Sequence, residues 1–96
     1  MARAGKVAVP PNVPTEITNA DAAGAITFQN LSASPVRMIG TPTGVVPVAS
    51  DFGGALFYAG GQGQVGMTLD EIFPGAGYAC LWAWSATGAT ICVYHA

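Results

Sequence analysis

Residues 78–95 constrain the fold more than any other part of the chain. They hold two alternating runs, 78–84 and 89–95, around Ser85-Ala86-Thr87-Gly88. Alternation with period two over runs of this length marks β-strands. Gly88 suits the left-handed last position of a four-residue hairpin loop. In the first run Tyr78, Cys80, Trp82 and Trp84 share one face, and Ala79, Leu81 and Ala83 share the other. In the second, Ile91 and Val93 alternate with Thr90, Cys92 and Tyr94. Both faces of such a hairpin are apolar, so it lies either at the centre of a sandwich or beneath another subunit.

The rest of the chain reads as short strands and turns. In residues 25–30 the alternation turns Ile26 and Phe28 inward and Thr27 and Gln29 outward. Residues 32–35 break that run, and residues 36–39 form the next strand, with Val36 and Met38 on one face. Residues 40–54, rich in glycine and proline, read as a long connection with at most one short edge strand. Residues 54–59 form a strand, Gly60-Gly61-Gln62-Gly63 a turn, and residues 64–67 continue as strand. Thr68-Leu69-Asp70-Glu71 is a capping box, with two acids placed well for a helix N-terminus. Pro74-Gly75 stops the helix after one turn, near 69–73, that lays Leu69, Ile72 and Phe73 on the sheet edge.

No helix of useful length and no repeat of 20–50 residues is present. The expected fold is all-β: an antiparallel β-sandwich or small β-barrel of about seven or eight short strands. Residues 1–14 read as an extended N-terminal arm, because Pro10, Pro11 and Pro14 remove amide donors and favour extended backbone. Residues 15–96 then form the single β-domain. The arm has two readings: it reaches a partner, which is preferred, or it packs on its own domain.

Charge is scarce. The chain carries eight charged side chains in 96 residues, where roughly 24 would be usual. After Lys6 the one remaining cation is Arg37. No run of some 18 apolar residues offers a membrane span. A net charge of −2 and so few cations argue against nucleic acid. Residues 1–6 are followed by proline-rich sequence rather than an apolar leader, which points to assembly in a cytoplasm. A domain this poor in charge is expected to hide surface against other subunits.

Catalytic and metal chemistry find few candidates, so no catalytic, metal or cofactor residues are assigned. His95 is the single histidine, and a strand-end side chain, locally bonded or solvated, is its simpler role. Cys80, Cys92 and His95 match no zinc spacing, and Cys92 and His95 face opposite sides of a strand. A hairpin loop closed by Trp84 and Ala89 sets Cys80 opposite Val93, whereas one closed by Trp84 and Gly88 sets it opposite Cys92. The glycine position favours the first, and with it free thiols over a disulfide. Asp70 and Glu71 are accounted for as capping groups. Asp51 has no second carboxylate nearby to help hold a hard cation. Gly60–Gly63 lacks the lysine and helix of a phosphate loop. Tyr58, Tyr78, Trp82, Trp84 and Tyr94 could stack on sugars, but the same residue types serve cores and subunit contacts, which is the preferred role.

Four segments together carry a resemblance: Ile26-Thr27-Phe28-Gln29-Asn30, Phe73-Pro74-Gly75, Leu81-Trp82-Ala83 and the terminal Val93-Tyr94-His95-Ala96. Over about residues 15–96 the chain resembles a group of short virion proteins of tailed bacteriophages, in which an IQN-like strand precedes an FPG turn, a VWA strand and an end near VSHA. It departs at Tyr94, where that group has a small polar residue, and in its proline-rich start. The resemblance implies an all-β virion component of the capsid decoration (cement) type, and it brings no catalytic residues. The expected partners are the major capsid protein and further copies of the chain, as a homotrimer on the capsid surface. Nucleic acid and membrane are not expected partners. On the arm, Arg3 and Lys6 are expected as polar anchors and Val7, Val9 and Val13 as apolar teeth. On the domain, Arg37, Tyr58, Trp84 and Tyr94 are the candidate contacts. The alternative is a tail, neck or fibre-associated virion protein touching host glycans through its aromatics.

Overall fold

The structure is a computed structural model describing residues 2–19, 22 and 24–96; Met1, Ala20, Asp21 and Ala23 lie outside the described residues. Among the described residues the strands are β1 (Arg3–Val9), β2 (Thr15–Glu16), β3 (Ile26–Asn30), β4 (Val36–Thr41), β5 (Leu56–Tyr58), β6 (Gly63–Met67), β7 (Cys80–Trp84) and β8 (Ala89–His95). They form two four-stranded sheets. Sheet A runs β1-β8-β3-β6 and sheet B runs β2-β7-β4-β5. Every pairing is antiparallel. The architecture is a β-sandwich, not a closed barrel.

Alternation explains the packing. Sheet A turns Val7, Val9, Ile26, Phe28, Ile91 and Val93 into the interior, and sheet B answers with Val36, Met38, Tyr58, Leu81 and Ala83. Ile17 and Leu69 close the ends of the same cluster. Phe28 and Tyr58 meet edge to face across the two layers, with ring centroids 5.1 Å apart, a favoured aromatic geometry. Burial of this set, at about 1.5–3 kcal/mol per large aliphatic or aromatic side chain, is the main force joining the sheets.

The terminal runs are strands, but they are not a hairpin. β7 belongs to sheet B, between β2 and β4, and β8 belongs to sheet A, between β1 and β3. The connection of residues 85–88 passes from one layer to the other. Gly88 has the positive φ expected of it, 91°, yet it serves a crossing. Two apolar strands joined by a short loop can satisfy both their faces in either arrangement. Here the inward residues of β8 are matched by β1 and β3, which are remote in sequence. The comparison of loop registers for Cys80 and Cys92 therefore does not apply, and no disulfide joins the two cysteines. Gly60–Gly63 is likewise a crossing, from β5 in sheet B to β6 in sheet A. A Cβ on Gly63 would run into the Phe28 carbonyl, so this close approach of β6 to β3 requires glycine.

Residues 1–14 also differ from expectation. Residues 3–9 are extended, but they lie along the domain's own sheet, as the second reading of the arm had it. Seven residues of β1 pair with β8, from Arg3 opposite His95 to Val9 opposite Ala89. Pro10 falls just past the end of the strand, so it interrupts no ladder bond. β1 is a sheet edge, where the missing donors of a proline-bearing continuation are tolerated. In residues 40–54, β4 extends to Thr41, no separate edge strand forms, and a 3-10 turn occupies Ala49–Gly54. Asp51 begins that turn by accepting the Val48 amide at 2.9 Å. That gives this acid a local structural role.

The capping box is present as expected. The Thr68 hydroxyl accepts the Glu71 amide at 3.2 Å, and the Glu71 carboxylate accepts the Thr68 amide at 2.9 Å. The four-residue helix α1 (Leu69–Ile72) follows. The Thr68 backbone bond, then the Thr68 hydroxyl, holds the Glu71 carboxyl below its usual value. A lowered folded-state value means that the stability Glu71 contributes is present above the ordinary carboxyl range and is lost as pH falls through the lowered value. Thr68→Ala should cost about 1 kcal/mol at neutral pH. The gap in Tm between this variant and the parent should narrow in acid, where Glu71 is protonated. Thermal scans at pH 7 and in strong acid test this, and a gap independent of pH would contradict the reciprocal box.

Candidate functional site

The structure sorts the expected contact residues into three groups. Val7 and Val9 are 9% and 2% exposed and belong to the core, so they are not teeth for a partner. Tyr58 is 7% exposed, packed on Phe28 with its hydroxyl accepting from Gln64. It is not a surface contact either. In each case alternation sends the side chain between the sheets. Arg3 is half-buried at the end of β1 with a buried Nε that has no hydrogen-bond partner among the described residues. Val13 is exposed in the segment after β1. Lys6 and Tyr94 are exposed on the outer face of sheet A. Arg37 and Trp84 are brought together on the outer face of sheet B, directly opposite each other on β4 and β7.

The outer face of sheet A is nearly free of charge. Its outward positions are Ala4, Lys6 and Ala8 on β1, Thr90, Cys92 and Tyr94 on β8, Thr27 and Gln29 on β3, and Gly63 and Val65 on β6. Lys6 is the single charge among them. Val65 is 83% exposed and Tyr94 51%. They border an open groove of about 560 Å³ whose lining includes Thr27, Gln29, Gly63 and Cys92. The groove is open rather than enclosed, which suits contact with another protein better than burial of a small ligand.

The outer face of sheet B is aromatic. Phe52, from the 3-10 turn, lies over Trp84 with centroids 6.5 Å apart and is itself buried. The Arg37 guanidinium carbon sits 5.4 Å from the centre of the Phe57 ring, within cation–π range. Trp82 donates its indole N–H to the Thr41 hydroxyl at 3.0 Å. The indole N–H of Trp84 is buried and has no acceptor among the described residues, a defect that costs about 1–3 kcal/mol. A hollow of about 260 Å³ lies among Arg37, Ala49, Ser50, Phe52, Gly53 and Trp84. Phe52 and Phe57 are absent from the sequence-based candidates, though an aromatic in the glycine-rich connection of residues 40–54 and another in the strand that follows it are a usable signal.

The remaining polar groups hold the fold. His95 is buried; its Nε2 accepts the Asn19 amide at 3.0 Å while Nδ1 lies 2.9 Å from the Ala96 carbonyl. Together these contacts place the proton on Nδ1. Asn30 is fully buried and ties the β3–β4 turn to β5 through four side-chain bonds. Asp70 accepts the Gly75 amide behind α1. Among the described residues no group of three or more His, Cys, Asp or Glu is placed to hold a metal. The aromatics do not form one platform: Tyr94 is on sheet A, the two tryptophans are on sheet B, Tyr58 is inside, and Tyr78 packs on Phe73 at 5.3 Å. Comparison with protein-family models, curated proteins and solved structures gives no match.

Proposed function

We propose that this chain is a structural subunit of a virion, a decoration (cement) protein that binds the outer head shell of a tailed bacteriophage as a homotrimer. The observation that carries the reading is a small β-sandwich with nearly uncharged outer faces and large apolar side chains left in the open. Phe57, Val46 and Val65 are 53%, 70% and 83% exposed. Single exposed apolar residues are ordinary, but here they coincide with a charge content a third of the usual. Such a surface supports permanent contact with other subunits. The segments that carry the resemblance to phage virion proteins support the setting.

The action is mechanical and has no catalytic step. The outer face of sheet A serves contact between copies, and that of sheet B faces the shell. Three copies held together engage three shell sites at once, so weak individual contacts sum to tight retention. Assembly takes place in the host cytoplasm, with the protein ending on the capsid surface. The scattered aromatics lend no support to a glycan platform, so the tail or fibre alternative rests on location alone.

Copy number tests the reading. Quantitative mass spectrometry of purified particles should find this chain in amounts comparable to the major capsid protein. A few copies per particle would assign it to the tail or neck, and absence from particles would overturn the virion reading.

A further inference from the structure

We infer that the hollow between Arg37 and Trp84 on sheet B receives a carboxylate carried by an otherwise apolar segment of a different protein. Three independent observations converge there. Arg37 is the one cation after Lys6, and its only partner among the described residues is the face of Phe57. The Trp84 indole N–H, in the residue opposite it, is a buried donor without an acceptor. The hollow that both residues line, about 260 Å³, is below the usual size of a cofactor or drug site and matches a side chain.

The chemistry selects an acid. The Arg37 guanidinium, 5.4 Å from the Phe57 ring centre, makes no hydrogen bond or ion pair among the described residues, and its fork of donors matches a carboxylate bidentately. Phe52 and Trp84 supply apolar walls, and Val48, 60% exposed, stands near the start of the 3-10 turn. A phosphate or nucleic acid would bring more negative charge than one arginine can meet. A second copy of this chain is a poor source. The four acids among the described residues, Glu16, Asp51, Asp70 and Glu71, each already accept a hydrogen bond within their own fold. The occupant is therefore an aspartate or glutamate flanked by apolar residues in another protein. The virion reading enters only in naming who supplies it, the shell. The preference for an acid is tested on the isolated protein, so its failure is separate from absence of the chain from particles.

The probe is 3-phenylpropanoate, with its neutral amide as control, titrated into ¹⁵N-labelled protein. The readout is the indole N–H resonance of Trp84, assigned with Trp84→Phe. A saturable shift is expected at millimolar acid, with the amide weaker by about tenfold or more. Arg37→Met, which keeps the apolar stem, should abolish acid binding, and Arg37→Lys should weaken it. Equal binding of acid and amide, undiminished binding to a folded Arg37→Met, or no saturable shift at tens of millimolar would overturn the inference. If Arg37→Met loses its dispersed spectrum, the acid–amide comparison on the parent decides. Concentration-dependent self-association that Arg37→Lys weakens would make a second copy the occupant and overturn the choice of a different protein.

Discussion

Asn30→Ala should destabilise this protein by about 3 kcal/mol or more, lowering Tm by roughly 15 °C for a domain of this size. The side chain is wholly buried and fully used. Its Nδ2 donates to the Ser34 carbonyl at 2.7 Å and the Tyr58 carbonyl at 3.2 Å. Its Oδ1 accepts the Ser32 amide at 3.1 Å and the Ser32 hydroxyl at 2.6 Å. The Tyr58 bond runs from sheet A to sheet B, so this one amide pins the β3–β4 turn and the two layers together. Truncation strands carbonyls that water reaches poorly, and such groups cost more than the bond itself returned. Asn30→Asp should be no better, because it loses both donors and buries a charge. The neighbour Gln29 makes one exposed bond, to the Gly61 carbonyl, and Gln29→Ala should stay within about 0.5 kcal/mol. Urea or thermal unfolding of the three variants checks this. Equal losses at positions 29 and 30 would mean that Asn30 is not the pin.

Asn30 also shows what the sequence made visible. Its segment was legible as a strand because Ile26 and Phe28 alternate with Thr27 and Gln29, a signal contained in five residues. The capping box at Thr68–Glu71 was legible for the same reason: its partners are three residues apart. That Asn30 faces inward follows from the same alternation, but its function does not, because Tyr58 is 28 residues away. The misreading of residues 78–95 has a related cause. A four-residue loop between two apolar strands obeys hairpin rules locally, and only the demands of β1 and β3 for the edges of β8 decide otherwise. The sheet B hollow was half legible. Arg37 and Trp84 were singled out separately, Arg37 as the isolated cation and Trp84 as an aromatic in a strand. Their adjacency is a cross-strand register, which depends on a pairing between residues 47 positions apart in the chain.

Deletion of residues 2–9 should abolish cooperative folding, and this is the largest effect expected of any change considered. A dispensable arm would leave the β-domain intact when removed; strand β1 will not. It contributes a full seven-residue ladder to β8 and two core valines. Without it the inner residues Ile91 and Val93 lose the cover of Val7 and Val9, and β8 becomes a bare apolar edge, which is an aggregation hazard. Domains near 100 residues hold only about 5–15 kcal/mol in reserve. Two lost valines, at roughly 2 kcal/mol each, and the lost ladder consume most of that. Point variants keep the test open if the truncation is insoluble. Val9→Ala should cost roughly 2 kcal/mol, whereas Lys6→Ala, on the outward side of the same strand, should cost at most about 0.5 kcal/mol. A truncated protein with an unchanged melting transition, or equal effects at positions 6 and 9, would return these residues to the role of an arm. The expected pattern instead places partner contacts of β1 on its outward side chains alone. Lys6 then remains available to a neighbour, while the valines beside it are committed to the fold.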